Sequence, residues 1–237
     1  MKFVFCFISA AALWAAQKPE EPQPRYVDPD GNARAPSDAV LLFNGRDMSG
    51  WVTKDGNAAG CHVKDAVMTC VSGSGDLYST AKFRSAQIHL EFALPSMPEH
   101  KGQMRGNSGV YLHGKYEIQI LDSFGNPTYP KGALGAIYGQ APPLVNAARR
   151  PEQWQTYDII FHAPRCGPEG RIVSRATVTV LLNGVLVQDH VEIQDTSAAA
   201  REGACTPGPL MLQDHSGFKN APVTKQRFRN VWFRPLE

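Results

Sequence analysis

In the stretch NSGVYLHGKYEIQILDSFGN, residues 107–126, a tyrosine, a carboxylate and an amide recur at the spacing of an extended chain. Successive side chains of a strand point to opposite faces, so a one-residue slip in register would move all of them. A three-residue loop His113-Gly114-Lys115, with Gly114 in the left-handed region, pairs Leu112 with Tyr116 and Tyr111 with Glu117. Val110 then faces Ile118, and Gly109 faces Gln119. One face becomes apolar: Val110, Leu112, Tyr116, Ile118 and Ile120. The other carries Asn107, Tyr111, Glu117 and Gln119, with a bare position at Gly109. A two-residue loop would instead set Leu112 against Glu117 and Val110 against Gln119, mixing apolar with polar. The three-residue loop fits better.

A ring with a polar tip, a carboxylate and an amide around a gap are the groups that hold a sugar, offering an apolar plane and directed hydrogen bonds. Polar residues also line the solvent face of an ordinary antiparallel sheet, and periodicity alone does not choose between the two. The following segment, residues 123–147, favours a site: it is long, rich in Gly, Pro and aromatics, and has little strand pattern. Asp122 is a second carboxylate, but its parity puts it with the core face, and its position before Ser123-Phe124-Gly125 suits a turn. Asp214 and His215 are adjacent, so in a regular strand only one of them lines a given site.

The elements that position these residues are short strands. AQIHLEFAL (residues 86–94) alternates, QTYDIIFHA (155–163) is β-branched and aromatic, and RATVTVLLNGVLVQDHVEI (175–193) is a hairpin about Asn183-Gly184. KQRFRNVWFRPL reads as a final strand, with Lys225, Arg227 and Arg229 as the solvated face of a sheet edge. Residues 196–202 have the pattern of one short helical turn. This element count predicts an all-β fold, two packed antiparallel sheets in a sandwich or jelly roll. The globular pattern spans residues 39–237, roughly 200 residues, suited to one such domain.

Residues 1–16 have the charge, apolar run and small residues of a signal peptide, which predicts a secreted or periplasmic product. Residues 17–38, rich in Pro, Glu, Asp and Gly, read as a linker or a surface-hugging arm. No later segment approaches the roughly 18 apolar residues of a membrane span. Of five cysteines, Cys6 lies in the leader, and four remain. An even count in an exported chain favours disulfides. Asp65-Ala66 can form a hairpin tip that sets Cys61 against Cys70, which leaves Cys166 for Cys205. No CxxC or HxxxH spacing supports zinc. The formal charge of +2 gives no electrostatic case for nucleic acid or an anionic membrane.

Several blocks, in order, give the chain a resemblance to the 3-keto-disaccharide hydrolase family, a concanavalin A-like lectin/glucanase sandwich. They are LFNGRDMSGW, IHLEFAL, the hairpin above, GAIYG, EQWQTYDIIFHAP, VTVLLNGVLVQDH, GPLMLQDH and RFRNVWFRPL, which together span nearly all of residues 40–236. His113 stands where many members carry arginine, and SGFKNAPVTKQ intervenes where a glycine usually follows LQDH closely. The resemblance implies a carbohydrate substrate oxidised at C3. A C3 ketone acidifies the C2 hydrogen, so one positioned base can form an enolate and expel the group at C1. Glu117 is then the expected base and His215, which titrates near neutrality, an aid to the leaving group. Arg105, Asn107, Tyr111, His113, Gln119, Tyr138 and Asp214 are expected substrate contacts. A divalent cation that polarises the ketone is compatible with this chemistry, but no dense ligand motif specifies one, and no nucleotide cofactor is implied. Two other readings stand beside this one: a conventional glycoside hydrolase, which needs a second carboxylate about 5–9 Å away, and a carbohydrate-binding module without catalysis.

Overall fold

The computed structural model describes residues 23–32, 34–194, 203–217 and 220–236. The signal peptide expected at residues 1–16 and the short helical turn expected at 196–202 lie outside the described residues. Two antiparallel sheets form a sandwich of the concanavalin A-like, jelly-roll type. The larger sheet holds β1 (Val40–Leu41), β3 (His62–Lys64), β4 (Val67–Val71), β6 (Ala86–Ala93) and β9 (Gln155–His162), together with β12 (Thr177–Leu182), β13 (Val185–Glu192) and β15 (Lys225–Pro235). Five strands make the smaller sheet: β2 (Trp51–Val52), β5 (Leu77–Phe83), β14 (Gly208–Leu212), β7 (Asn107–Leu112) and β8 (Tyr116–Leu121), laterally in that order. A separate hairpin joins β10 (Arg165–Cys166) to β11 (Ile172–Ser174).

Alternation explains the layers. In β6 and β9 every second residue is buried, so Ile88, Leu90, Phe92, Tyr157, Ile159 and Phe161 form the core wall of the larger sheet. Val110, Leu112, Ile118 and Leu212 face them from the smaller sheet. Each such side chain contributes about 1.5–3 kcal/mol on burial. Tyr157 is fully buried, and its hydroxyl donates to the backbone oxygen of Gln119 at 2.5 Å, tying β9 directly to β8.

The hairpin at Asn183-Gly184 forms as expected, both residues at positive φ (55° and 80°). Asp65 and Ala66 make the tip between β3 and β4, and the disulfides are Cys61–Cys70 and Cys166–Cys205. The final strand departs from expectation. β15 lies inside the larger sheet, between β6 and β4, and is not an edge. Its arginines are also engaged: Arg229 pairs with Glu91 at 2.6 Å and lies 4.1 Å over the Trp154 ring, and Arg227 pairs with Glu152. A sheet's outward face shows the same basic alternation as an edge, and only the pairing of strands tells them apart. Before β1, Ala35 is fully buried in a small cluster with Ala39 and Trp232, so this part of the arm lies against the domain. Among the described residues no helix is long and apolar enough to cross a membrane.

Candidate active site

The hairpin β7–β8 has the three-residue loop and the register Tyr111↔Glu117, Gly109↔Gln119 and Leu112↔Tyr116. Gly114 has φ 65°, and His113 joins it at φ 55°. Pairing continues across the sheet, where Met211 of β14 is the partner of both Tyr111 and Tyr78 of β5. Directly paired residues share a face, so Tyr78, Met211, Tyr111 and Glu117 form one row across four strands, facing away from the core.

Gly109 is the centre of this face. A Cβ placed on it would lie 2.6 Å from Glu117 Oε1 and 2.8 Å from the Tyr111 ring, so only glycine lets the carboxylate and ring lean over this position. Gln213 Nε2 donates to the Tyr111 hydroxyl at 3.0 Å, and that hydroxyl donates to Glu117. Burial raises the Glu117 pKa to about 7, and the Tyr111 hydrogen bond offsets only part of that effect. Burial, with the neighbouring Glu117 carboxylate, also pushes the Tyr111 phenol well up, so it stays protonated and remains a donor. No acidic group among the described residues contributes to the Glu117 shift.

A set of amides adjoins the carboxylate. Gln119 Nε2 donates to Gln103 Oε1 (3.0 Å) and to the Gly132 carbonyl (3.3 Å). Asn107 Nδ2 donates to the Gln103 carbonyl (2.9 Å) and to its Oε1 (3.2 Å). These donations fix which end of each amide is which. They leave Asn107 Oδ1 and Gln119 Oε1 buried without a donor, and Gln213 Oε1 is in the same state. All three residues surround Gly109: Asn107 two positions before it on β7, Gln119 across from it, and Gln213 through its N–H to the Gly109 carbonyl. A buried acceptor without a donor costs about 1–3 kcal/mol, and ligand hydroxyls are donors that would satisfy such groups.

The long segment after β8 forms one wall. It runs along the free edge of that strand, with Gln119 N–H to the Ala136 carbonyl and Tyr138 N–H to the Glu117 carbonyl. Tyr129 folds across Gly132 and donates its hydroxyl to that of Tyr138 at 2.6 Å. The Tyr138 hydroxyl proton is therefore directed elsewhere, and the residue is 42% exposed.

Other expected contacts are placed differently. His113 is buried between Phe83 and Phe161, ring centroids 5.2 and 4.9 Å away, and its Nε2 is 3.1 Å from the Arg84 carbonyl oxygen. It packs in the core and does not line the polar face, because its positive φ turns the loop back over the sandwich. Arg105 is committed to Asp122 at 2.5 Å, with only 14% and 1% of their side chains exposed. Asp122 also accepts from the Phe124 N–H, the turn role that its position suggested. Asp214 accepts from the N–H groups of Gly73 and Gly75 (2.8 and 2.7 Å), clamping a neighbouring turn. Strand β14 ends at Leu212, so Asp214 and His215 are not on a strand, and His215 starts a short 3-10 turn. Burial lowers the His215 pKa from its usual value.

Sequence reading missed Gln103, Gln213, Tyr78 and Tyr129. Gln213 was legible: it lies two residues after Met211 and keeps the strand's period. Gln103 comes from a 3-10 turn, Gly102–Met104, which carries no periodic signal. Among the described residues, no group of three or more His, Cys, Asp or Glu is arranged to hold a metal ion.

Comparisons with known proteins agree with this architecture. A solved structure from Parabacteroides distasonis ATCC 8503, provisionally assigned as a glycosyl hydrolase, shares 38% identity with a TM-score of 0.81. The match covers 93% of this chain and 95% of that one. Two more structures from that organism with the same provisional assignment match at 20% and 19% identity, with TM-scores of 0.60 and 0.57. They cover 85% and 84% of this chain and 95% and 99% of their own, and at that identity they speak to fold alone. No curated protein matches the chain. The model of the 3-keto-alpha-glucoside-1,2-lyase-like domain matches residues 38–234, and the chain belongs to that family.

Proposed function

We propose that this protein is a sugar-cleaving enzyme acting on 3-keto-glycosides, with Glu117 as its base. The observation that carries the proposal is a half-buried carboxylate with its pKa near 7, raised by burial with no acidic group contributing. Asp76, the carboxylate that acts on Tyr111 and Tyr78 of the same row, instead accepts from the Asp214 N–H. A base works best when its pKa lies near the working pH. A conventional glycosidase would need a second carboxylate to share the work. Family membership supports the substrate class, and the three donorless amide oxygens around Gly109 suit a polyol.

In this reading Glu117 takes the proton from C2, and the electron pair moves into an enolate on the C3 oxygen. The hydroxyl of the exposed residue Tyr138, which accepts from Tyr129 and so keeps its own proton to give, is a donor for that oxygen. Collapse of the enolate forms the C1–C2 double bond and breaks the C1–O bond. Glu117, now carrying the proton, returns it to the departing oxygen. His215 is a poorer choice for this last step, because burial lowers its pKa and so disfavours the protonated imidazole that would donate. Water then adds across C1–C2, completing net hydrolysis. The site works after export, and the two disulfides suit an oxidising compartment.

The test is product analysis of the full chain with a 3-keto-glucoside beside the unoxidised glucoside, with and without a chelator. Cleavage of the keto-sugar alone is expected, and cleavage of the unoxidised sugar alone would overturn the proposal. The chelator arm reports whether a divalent cation takes part. The base must be ionised to act, so kcat/KM is expected to fall about tenfold per pH unit below about 7. An acidic limb near pH 4 instead would remove the perturbed carboxyl from the mechanism. Gly109→Ala is expected to displace the carboxylate and lower kcat by about a hundredfold. Circular dichroism like that of the parent would show that the loss is local.

A further inference from the structure

A polar cavity of about 450 Å³ shares none of its lining residues with the face that holds Glu117. Arg84, Arg165, Arg175, His162 and His190 line it, with two serines and a threonine, and no lining residue carries a carboxylate. The chain as a whole is close to neutral at +2, so this concentration of cations is a local feature.

The turn between β5 and β6 supplies Arg84 and Ser85, and the fold adds three further sides. His162 ends β9 and is paired with Thr177 of β12, on the outward face of the larger sheet. Between β12 and β13 the register slips from Val178↔Val191 to Val180↔Gln188, a bulge that sets Asp189 and His190 against Thr179. His190 takes φ 47°, its N–H donates to Thr179 Oγ1 at 3.0 Å, and its ring comes within 6.3 Å of His162. Bulges re-aim side chains in this way, and a left-handed non-glycine residue persists only where its surroundings hold it. The third side is the β10–β11 hairpin, which presents Arg165 and is fastened by the Cys166–Cys205 disulfide to the segment before β14. Arg175 gives one N–H to Glu192 at 2.8 Å and, like any guanidinium, has others to offer.

We propose that this cavity is an oxyanion-binding site that takes a sulfate or phosphate group, free or as the ester of a sugar. Guanidinium forks match oxyanions in both charge and geometry. The lining hydroxyls and imidazoles add donors, and the neighbouring Glu192 carboxylate is neutralised by its pair with Arg175. The volume exceeds that of a lone ion and falls in the range of ligand pockets, leaving room for a sugar ring beside the group.

Calorimetry on the full chain with inorganic sulfate, inorganic phosphate, glucose 6-sulfate, glucose 6-phosphate and glucose tests this. Saturable binding that depends on Arg165 and His162 is expected for the oxyanions, whereas any glucose binding, at the Glu117 face, is expected to be independent of them. Tighter binding of an ester than of its free ion assigns the site to the ester, and equal binding assigns it to the ion. The double variant Arg165→Ala, His162→Ala is expected to weaken binding roughly tenfold or more. Both side chains are exposed, so the fold should survive, as circular dichroism would verify. Arg171→Ala, at the tip of the same hairpin, controls for general charge and is expected to bind like the parent. Absence of saturable binding by every oxyanion, an unchanged affinity in the double variant, or glucose binding weakened by the double variant as much as that of its esters would overturn the proposal.

Discussion

Replacing Glu117 with glutamine is expected to lower kcat on a 3-keto-glucoside by about 10²–10⁴-fold, the usual contribution of a positioned base. Substrate affinity should change little, because the amide keeps the volume and still accepts from Tyr111. Loss of turnover with binding intact separates an enzyme from a module that only holds sugar. The same substitution is expected to raise stability. The folded-state pKa of about 7 lies above the ordinary 4.5, so the folded chain holds this proton more tightly than the unfolded one. Its contribution is therefore fully present below about pH 4.5 and is lost as pH rises through about 7. That interval corresponds to at most roughly 3 kcal/mol. Denaturation curves of parent and Glu117→Gln should run together near pH 4 and separate by pH 8, the variant being more stable. A variant that kept its turnover within a few-fold would end the case for Glu117 as base.

The second large effect is structural. Arg105→Ala is expected to destabilise the fold by about 3–5 kcal/mol at neutral pH, because it strands a buried carboxylate. Burial already raises the Asp122 pKa even with Arg105 beside it. Without the guanidinium, the folded state would hold the Asp122 proton more tightly still. The sign follows: the deficit is smallest in acid, where Asp122 is protonated in both states, and grows as pH rises above about 4. The double variant Arg105→Met, Asp122→Leu should recover more than half of the loss, since apolar pairs replace buried ion pairs well. A direct substrate contact from Arg105 would show differently, as a raised KM in a variant of near-parental stability.

The wall after β8 shows how these two effects are linked. Arg105 and Asp122 fasten the entry of β7 to the exit of β8, and the segment that follows then doubles back along the β8 edge. That return helps to bury Glu117, and burial is what moves its pKa. Loosening the ion pair should therefore blunt the activity limb near pH 7 as well as the stability.

Much of the site's local geometry was legible in the chain. The two-residue period of YEIQI and the glycine at position 114 specify a hairpin register, since any other would put apolar groups beside polar ones. The same kind of local logic paired Cys61 with Cys70 across the Asp65-Ala66 tip. Strand parity is short-range, and short-range rules can be read residue by residue. Tertiary structure decided which polar groups are free to act. Arg105, His113 and Asp214 have suitable chemistry, but Asp122, the Phe83–Phe161 rings and the Gly73–Gly75 turn take them up. Gln103 and Gln213 reach Gln119 and Tyr111 from distant parts of the chain. The near-neutral carboxyl of Glu117 depends on desolvation, which is set by everything packed around it, and no pattern within one strand encodes that.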